Sequence, residues 1–224
     1  MEIQKWCEKN QNNDQVYFVP VAAPNVEITI PTPSVVMAGS SIVSGIVSYF
    51  EAKSNLPQWQ SSDIDIFHLG MEKPIRNSNL CNVDLVHVTD NTVTELLLNF
   101  DLPCCRAARD FNGNLWISAQ CINAVLTGTQ YLPDCLSTRE KFFETGKKVM
   151  TIDMVIQRQK SRGYQVANPE LTRDMMITWF GTRFFDRIEK YQARGFQTVF
   201  VKTDTIPTWL VKRFTYAEPN IGKN

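Results

Sequence analysis

Between Val35 and Phe67 the chain runs strand, Gly-Ser turn, helix and strand, and this order restricts its fold more than any other stretch. Val35-Val36-Met37-Ala38 is a continuous apolar run with the length of a short buried strand. Gly39 lets the backbone turn tightly or approach a ligand closely. After Ser40 and Ser41, the residues Ile42, Val43, Ile46, Val47 and Phe50 recur at helical spacing, so a helix starts at the serines with its N-terminal amides facing the turn. Such a helix end suits an anion. Further on, Ser61-Ser62-Asp63-Ile64-Asp65-Ile66-Phe67 alternates, placing Asp63, Asp65 and Phe67 on one face of a strand and Ile64 and Ile66 on the other. Neighbouring carboxylates repel each other, and a divalent cation held between them relieves the repulsion, magnesium being the natural candidate. Taken alone, an Asp-x-Asp is more often a strand end or a solvated edge; its position after the Gly-Ser helix is what gives it weight.

In this arrangement the chain resembles the nucleotidyltransferase superfamily typified by DNA polymerase β, whose motif is an apolar residue, Gly-Gly or Gly-Ser, a helix, and an acid-x-acid strand. The matching positions are Ala38, Gly39, Ser40, Asp63 and Asp65. The gap between the two halves is longer than the family usually has, and Glu51 to Gln60 reads as a loop insertion that leaves the core intact.

With 224 residues and 43% hydrophobic content, the chain can bury one good core, or one core with an appended helical unit. Formal charge is zero, which argues against a non-specific nucleic-acid coat protein. Residues 1–110 carry net −6 and residues 111–224 net +6, which suits a cleft between an acidic metal-binding half and a basic phosphate-binding half; a plain split of solvated surfaces explains the charges at least as well. Cys7, Cys81, Cys104, Cys105, Cys121 and Cys135 form no Cys-x-x-Cys pair and do not cluster with His68 and His87, so core filling is expected of them and zinc is not. No secretory signal opens the chain, and no apolar run approaches the roughly 20 residues that span a bilayer. Free thiols, an intracellular (cytoplasmic) location and no membrane partner are the expectations.

The first 25 residues read as an arm or an initial helix around Ile3 and Trp6, Val26 to Ile30 as a strand, and Met71 to Asn79 as a polar loop. Val83 to Val88 alternates as a strand, with His87 on the face of Val83 and Leu85, a setting in which histidine is usually a satisfied core residue. His68 follows the acid strand at what reads as the end nearest the site. Thr89-Asp90 offers a cap for a short helix over Val93 to Leu98. In Asn99-Phe100-Asp101-Leu102-Pro103-Cys104-Cys105-Arg106 a carboxylate interrupts an apolar strand, and a buried carboxylate costs several kcal/mol unless paired or bound to metal. A third carboxylate on an adjacent strand would complete a two-metal site; pairing with Arg106 or Arg109, or a watery strand edge, is the plainer account.

The downstream pattern resembles a narrower nucleotidyltransferase-like group of large DNA viruses and fungi. It comprises Phe100-Asp101-Leu102-Pro103-Cys104-Cys105-Arg106, Leu115 to Ala119, Thr127-Gly128-Thr129, and Arg187 through Lys190-Tyr191 to Arg194-Gly195-Phe196. The likeness spans Val35 to Phe196 and admits a virus-encoded protein. It implies an α+β fold with a polymerase β-type mixed sheet flanked by helices, and a metal and catalytic triad of Asp63, Asp65 and Asp101. It also implies Mg2+ or Mn2+ as cofactor, Gly39 and Ser40 cradling the phosphates of an NTP, and transfer of a nucleotide to an unidentified acceptor, an RNA end, a protein or a small molecule.

The expected division is a catalytic core with its N-terminal arm over residues 1–135 and a mainly helical part over 136–224 packed on it. In the second part Arg139 to Arg162 is helical and carries net +4, Pro169 opens a helix with an apolar stripe from Met175 to Tyr191, Gln197 to Val201 is a strand, and Pro207 to Phe214 a short helix. There is no internal repeat, no P-loop of the Gly-x-x-x-x-Gly-Lys-Ser/Thr kind and no Ser-His-Asp arrangement. Two readings stand beside the enzyme: an inactive nucleotide- or RNA-binding or structural module of the same fold, and an interaction domain in which Asp63 and Asp65 do not converge with Asp101.

Overall fold

The computed structural model describes residues 15–22, 33–49, 54–61, 63–72, 75–78, 82–133 and 184–202. The strand expected at Val26 to Ile30 and the helices expected around Ile3, over Arg139 to Arg162, from Pro169 to residue 183 and over Pro207 to Phe214 lie outside these residues. Among the described residues, the protein is mixed α+β, with seven strands in one mixed sheet and two more paired separately.

The order across the large sheet is β1 (Val16–Ala22), β7 (Asn114–Ser118), β6 (Ala107–Arg109), β2 (Val35–Ala38), β3 (Ile64–His68), β5 (Val83–His87) and β4 (Ile75–Ser78). Only β3 and β5 run parallel; the other neighbours are antiparallel. Central β2 is buried at all four positions, so both faces of the sheet are covered there, as its unbroken apolar run requires. On one face α2 (Val93–Leu98) lays Leu96 and Leu97 against Val36, Ala38 and Ala108, with Phe67, Phe100 and Trp116 packed around them. Burying each leucine is worth about 1.5–3 kcal/mol. Helix α1 (Ser40–Tyr49) contacts β2, β3, β6 and α3 (Ala119–Thr127).

Both sheet edges differ from the sequence expectation. The N-terminal stretch expected to be an arm supplies β1; Pro20 cannot donate to a ladder, and the register with β7 shifts between Val19 and Ala22, which confines this strand to an edge. At the other edge the expected polar loop contains β4, Ile-Arg-Asn-Ser, whose polar residues hide the strand pattern, as edge strands often do. The short helix falls at Val93–Leu98 as expected, but its cap is Thr92, whose side chain accepts from the Glu95 amide, and not Thr89 or Asp90. Asp90 instead accepts from Asn99 at 2.6 Å.

Cys104, Cys105 and Cys121 are buried thiols in no disulfide, and burial pushes the Cys121 thiol above its ordinary range, so these three fill the core. The β6–β7 turn is organised by Asp110, whose carboxylate accepts from the amides of Asn112 and Asn114 at 2.9 Å and from Trp116 Nε1 at 3.1 Å. Burial works to raise its pKa, yet the Trp116 and Asn donors together hold it below the usual value. Stability from this turn is therefore present above the ordinary carboxylate range and lost as pH falls through the lowered value. Trp116→Phe is expected to cost about 1–3 kcal/mol at neutral pH, the gap from the natural chain narrowing as pH falls below the ordinary carboxylate range, as urea unfolding at several pH values would record.

The chain divides into two compact units at Tyr131, the first regaining Tyr191–Val199. In the second, Phe184 is fully buried and meets Phe185 edge-on at 5.3 Å, at the start of α4 (Phe185–Gln192). Strands β8 (Thr129–Pro133) and β9 (Gln197–Val201) pair, and within the first unit Gln130 donates to Thr198.

Candidate functional site

Gly39 joins β2 to α1 with φ +91°, a conformation side chains rarely adopt. Its amide donates to Ala107 O at 2.9 Å and its carbonyl accepts the first helical bond, from Val43 at 3.1 Å. Gly39 is thus the helix cap, and it carries no side chain to occupy the free amides of the first turn. Ala38 pairs with Asp65, which brings that carboxylate to the turn: a Cβ built on Gly39 would lie 3.8 Å from Asp65 Oδ2 and 3.8 Å from the Phe100 ring.

The two halves of the motif are also tied by hydroxyls. Ser61 Oγ donates to the carbonyl of Asp63 at 2.9 Å and lies 2.7 Å from Ser40 Oγ. Ser61 has one proton, already used on Asp63, so Ser40 must be the donor between them. The start of the helix is thereby fastened to the start of the acid strand. Ser41 is nine-tenths buried, and its hydroxyl has no hydrogen-bond partner.

Asp63 and Asp65 are both half-buried at the N-terminal end of β3. Asp101 is elsewhere in character: it does not sit on a strand, as expected, but in the bend after α2, with no exposed surface, and it accepts from the Leu102 amide at 2.9 Å. The strand expectation failed because Leu98 to Cys105 is apolar for a different reason, the close packing of a helix end and a 3-10 turn at Pro103–Cys105. Arg106 donates through Nε to Phe100 O at 3.0 Å, beside Asp101, and also to Gln120. Asp101→Ala would leave the Leu102 amide buried without its acceptor and is expected to cost about 1–3 kcal/mol, whereas Asp101→Asn keeps an acceptor oxygen and should cost less; urea unfolding separates the two.

Among the described residues, no three His, Cys, Asp or Glu side chains form a group able to hold a metal ion. Asp63, Asp65 and Asp101 are therefore not gathered into one ligand set. The carboxylate that register does bring beside Asp65 is Asp84, its partner on the parallel strand β5. Sequence reasoning passed over it, although a signal exists: Ile64-Asp65-Ile66-Phe67-His68 and Val83-Asp84-Leu85-Val86-His87 follow one pattern, apolar, Asp, two apolar, His. This short repeat, absent from the expectation, aligns residue for residue in the sheet. His68 also differs from expectation, because it ends β3 while Asp65 and Gly39 lie at the strand's start, and alternation turns it to the opposite face.

Among the described residues no helix is long and apolar enough to cross a membrane. Comparison with known protein families, curated proteins and solved structures finds no match for this chain.

Proposed function

We propose that the chain is a metal-dependent nucleotidyltransferase of polymerase β-like fold, moving a nucleotide from an NTP to an acceptor hydroxyl with release of pyrophosphate. The observation that carries the reading is the meeting of Asp65 with Gly39: a carboxylate suited to a hard cation stands beside the glycine-capped N-terminus of a ten-residue helix suited to a phosphate. The donor set fits magnesium or manganese bound together with its nucleotide. Mg2+ commonly takes only one or two protein carboxylates and completes its shell with water and substrate phosphates, so a preformed cage of three side chains is not required. Asp63 and Asp65 would hold the ion, with Asp84 adding negative charge on the same face as Asp65; buried Asp101 stays outside this set. When bound, the ion supplies neutralisation of the triphosphate charge.

The chain's own share is positioning. The amides of the first turn of α1 face the phosphates, the Ser40–Ser61–Asp63 link fixes that turn relative to the acids, and Gly39 leaves the approach clear. The acceptor oxygen then attacks the α-phosphorus as the bond to the β-phosphate oxygen breaks. The acceptor, an RNA end, a protein or a small molecule, is left open by these residues.

A second reading, binding without turnover, is favoured by the lack of a three-carboxylate set. Equilibrium binding of each labelled NTP with and without Mg2+ or Mn2+, followed by assay of pyrophosphate, separates the two. Metal-dependent binding with pyrophosphate release supports the transferase, and binding alone supports the second reading. No metal-dependent binding of any NTP to the folded chain would sink both.

A further inference from the structure

The repeated strand pattern that sets Asp65 beside Asp84 on one face sets His68 beside His87 on the other. The two histidines are the only ones in the chain, and parallel pairing of β3 with β5 makes them register partners at the C-terminal ends of their strands. Their ring centroids are 5.4 Å apart, with planes inclined by 47°. Both side chains are half-buried, and Nδ1 of His87 is shut off from solvent with no hydrogen-bond partner.

The backbone that carries them is fixed on several sides. The amide of Val88 donates to His68 O at 2.9 Å, that of Leu69 to Ser34 O at 2.8 Å, and that of Met71 to Val88 O at 2.9 Å. His68 is also paired across β2 with buried Val35. The imidazoles are therefore presented by rigid elements, as a ligand pair must be.

We propose that His68 and His87 form a two-imidazole site for a borderline divalent cation, Zn2+, Ni2+ or Cu2+, separate from the acidic corner on the opposite face. Two nitrogens held about 2.0–2.1 Å from one tetrahedral ion place their ring centroids roughly 5 Å apart, so the observed separation needs only a small rotation of the side chains. A ring nitrogen buried without a partner is costly, and a metal bond removes that cost where no protein donor or acceptor is at hand. Imidazole selects these ions over magnesium, which prefers oxygen ligands. With two protein ligands the site keeps open positions for water or a further ligand, and it clips the ends of two parallel strands that lie 19 residues apart in sequence.

The test is titration of the full chain, freed of metal, with ZnCl2, NiCl2 and MgCl2 by calorimetry and by thermal shift. One equivalent of Zn2+ or Ni2+ is expected to bind and to raise the unfolding temperature, with no effect of Mg2+ at this site. His68→Gln and His87→Gln should each weaken binding at least about tenfold, while Asp65→Asn should leave it unchanged. Because a substitution in a strand can disturb folding, Cu2+ loaded on the natural chain gives an independent readout, an electron paramagnetic resonance spectrum with coupling to two imidazole nitrogens. No saturable uptake, uptake indifferent to both substitutions, or a copper spectrum without imidazole nitrogen would overturn the proposal.

Discussion

Asp65→Asn is expected to abolish metal-dependent nucleotide transfer, a loss of at least about a thousandfold, while leaving the chain as stable as before or slightly more so. The opposite signs have one cause. Asp65 and Asp84 are register partners on parallel strands, so two like charges stand abreast on the same face, an arrangement that costs roughly 0.2–1 kcal/mol. Asparagine keeps the size of the side chain at the Gly39 turn and removes one of the charges. It also removes the anionic oxygen that a hard cation requires. Two carboxylates held abreast near a helix N-terminus suit a cation and the anion bound with it, and a chain selected for stability alone would not keep such a pair. Thermal unfolding and pyrophosphate release measured on the same preparations check both halves. Full turnover in Asp65→Asn would remove the proposed chemistry from this corner, whatever the stability result.

What could be read in the sequence was what depends on local order. Val35–Ala38, the helix from Ser40, the acid strand and the helix at Val93–Leu98 each carry their own period, and each forms where the period places it. What could not be read depends on partners distant in sequence. The edge strand at Val16–Ala22 contains a proline and forms because Asn114–Ser118 offers it a ladder. The edge strand at Ile75–Ser78 is polar in sequence and forms because Val83–His87 offers it a ladder. Asp101 shows the limit from the other side: an acid in an apolar run signals burial correctly, but the sequence does not say that a neighbouring amide satisfies it. The Asp65–Asp84 and His68–His87 pairs needed the parallel register, which no pattern within either strand specifies.

The loop between Leu56 and Gln60 was the least legible part, and it leads to the largest expected loss of stability. The sequence presents Glu51 to Gln60 as a loop insertion that leaves the core intact, and gives no sign of what the loop packs on. In the structure Ser54 Oγ donates to Val125 O at 2.9 Å, Leu56 is buried, and Trp59 meets the edge of Phe196 at 5.7 Å. The partner of this loop is the turn that ends α4, the Arg194-Gly195-Phe196 stretch of the resemblance. Phe196 is buried against Tyr191 and Trp59, and the Arg194 guanidinium lies over the same two rings, 5.0 Å from Tyr191 and 5.5 Å from Trp59. The amides of Gly195 and Phe196 close the helix end on Gln192 O and Tyr191 O.

Between these contacts the backbone of Gly195 comes so close to Pro57 that a Cβ there would lie 2.6 Å from Pro57 Cδ, and its φ is +92°. Gly195→Ala therefore meets two penalties, a strained backbone of about 1–3 kcal/mol and overpacking of similar size against a ring tied to its own main chain. A loss of about 2–4 kcal/mol is expected, lowering the unfolding temperature by roughly 5–12 °C for a chain of this length. Gly39→Ala is the internal comparison, since Gly39 has φ +91° but its nearest neighbours to a new Cβ stand at 3.8 Å. It should show the backbone term alone, and the difference between the two variants isolates the Pro57 contact. Adding Pro57→Ala to Gly195→Ala should then recover part of the loss, in a double-mutant cycle with a coupling of about 1–2 kcal/mol. Equal costs for the two glycine variants, with no recovery in the double variant, would mean that the loop does not press on this turn and that Gly195 is required for its conformation only.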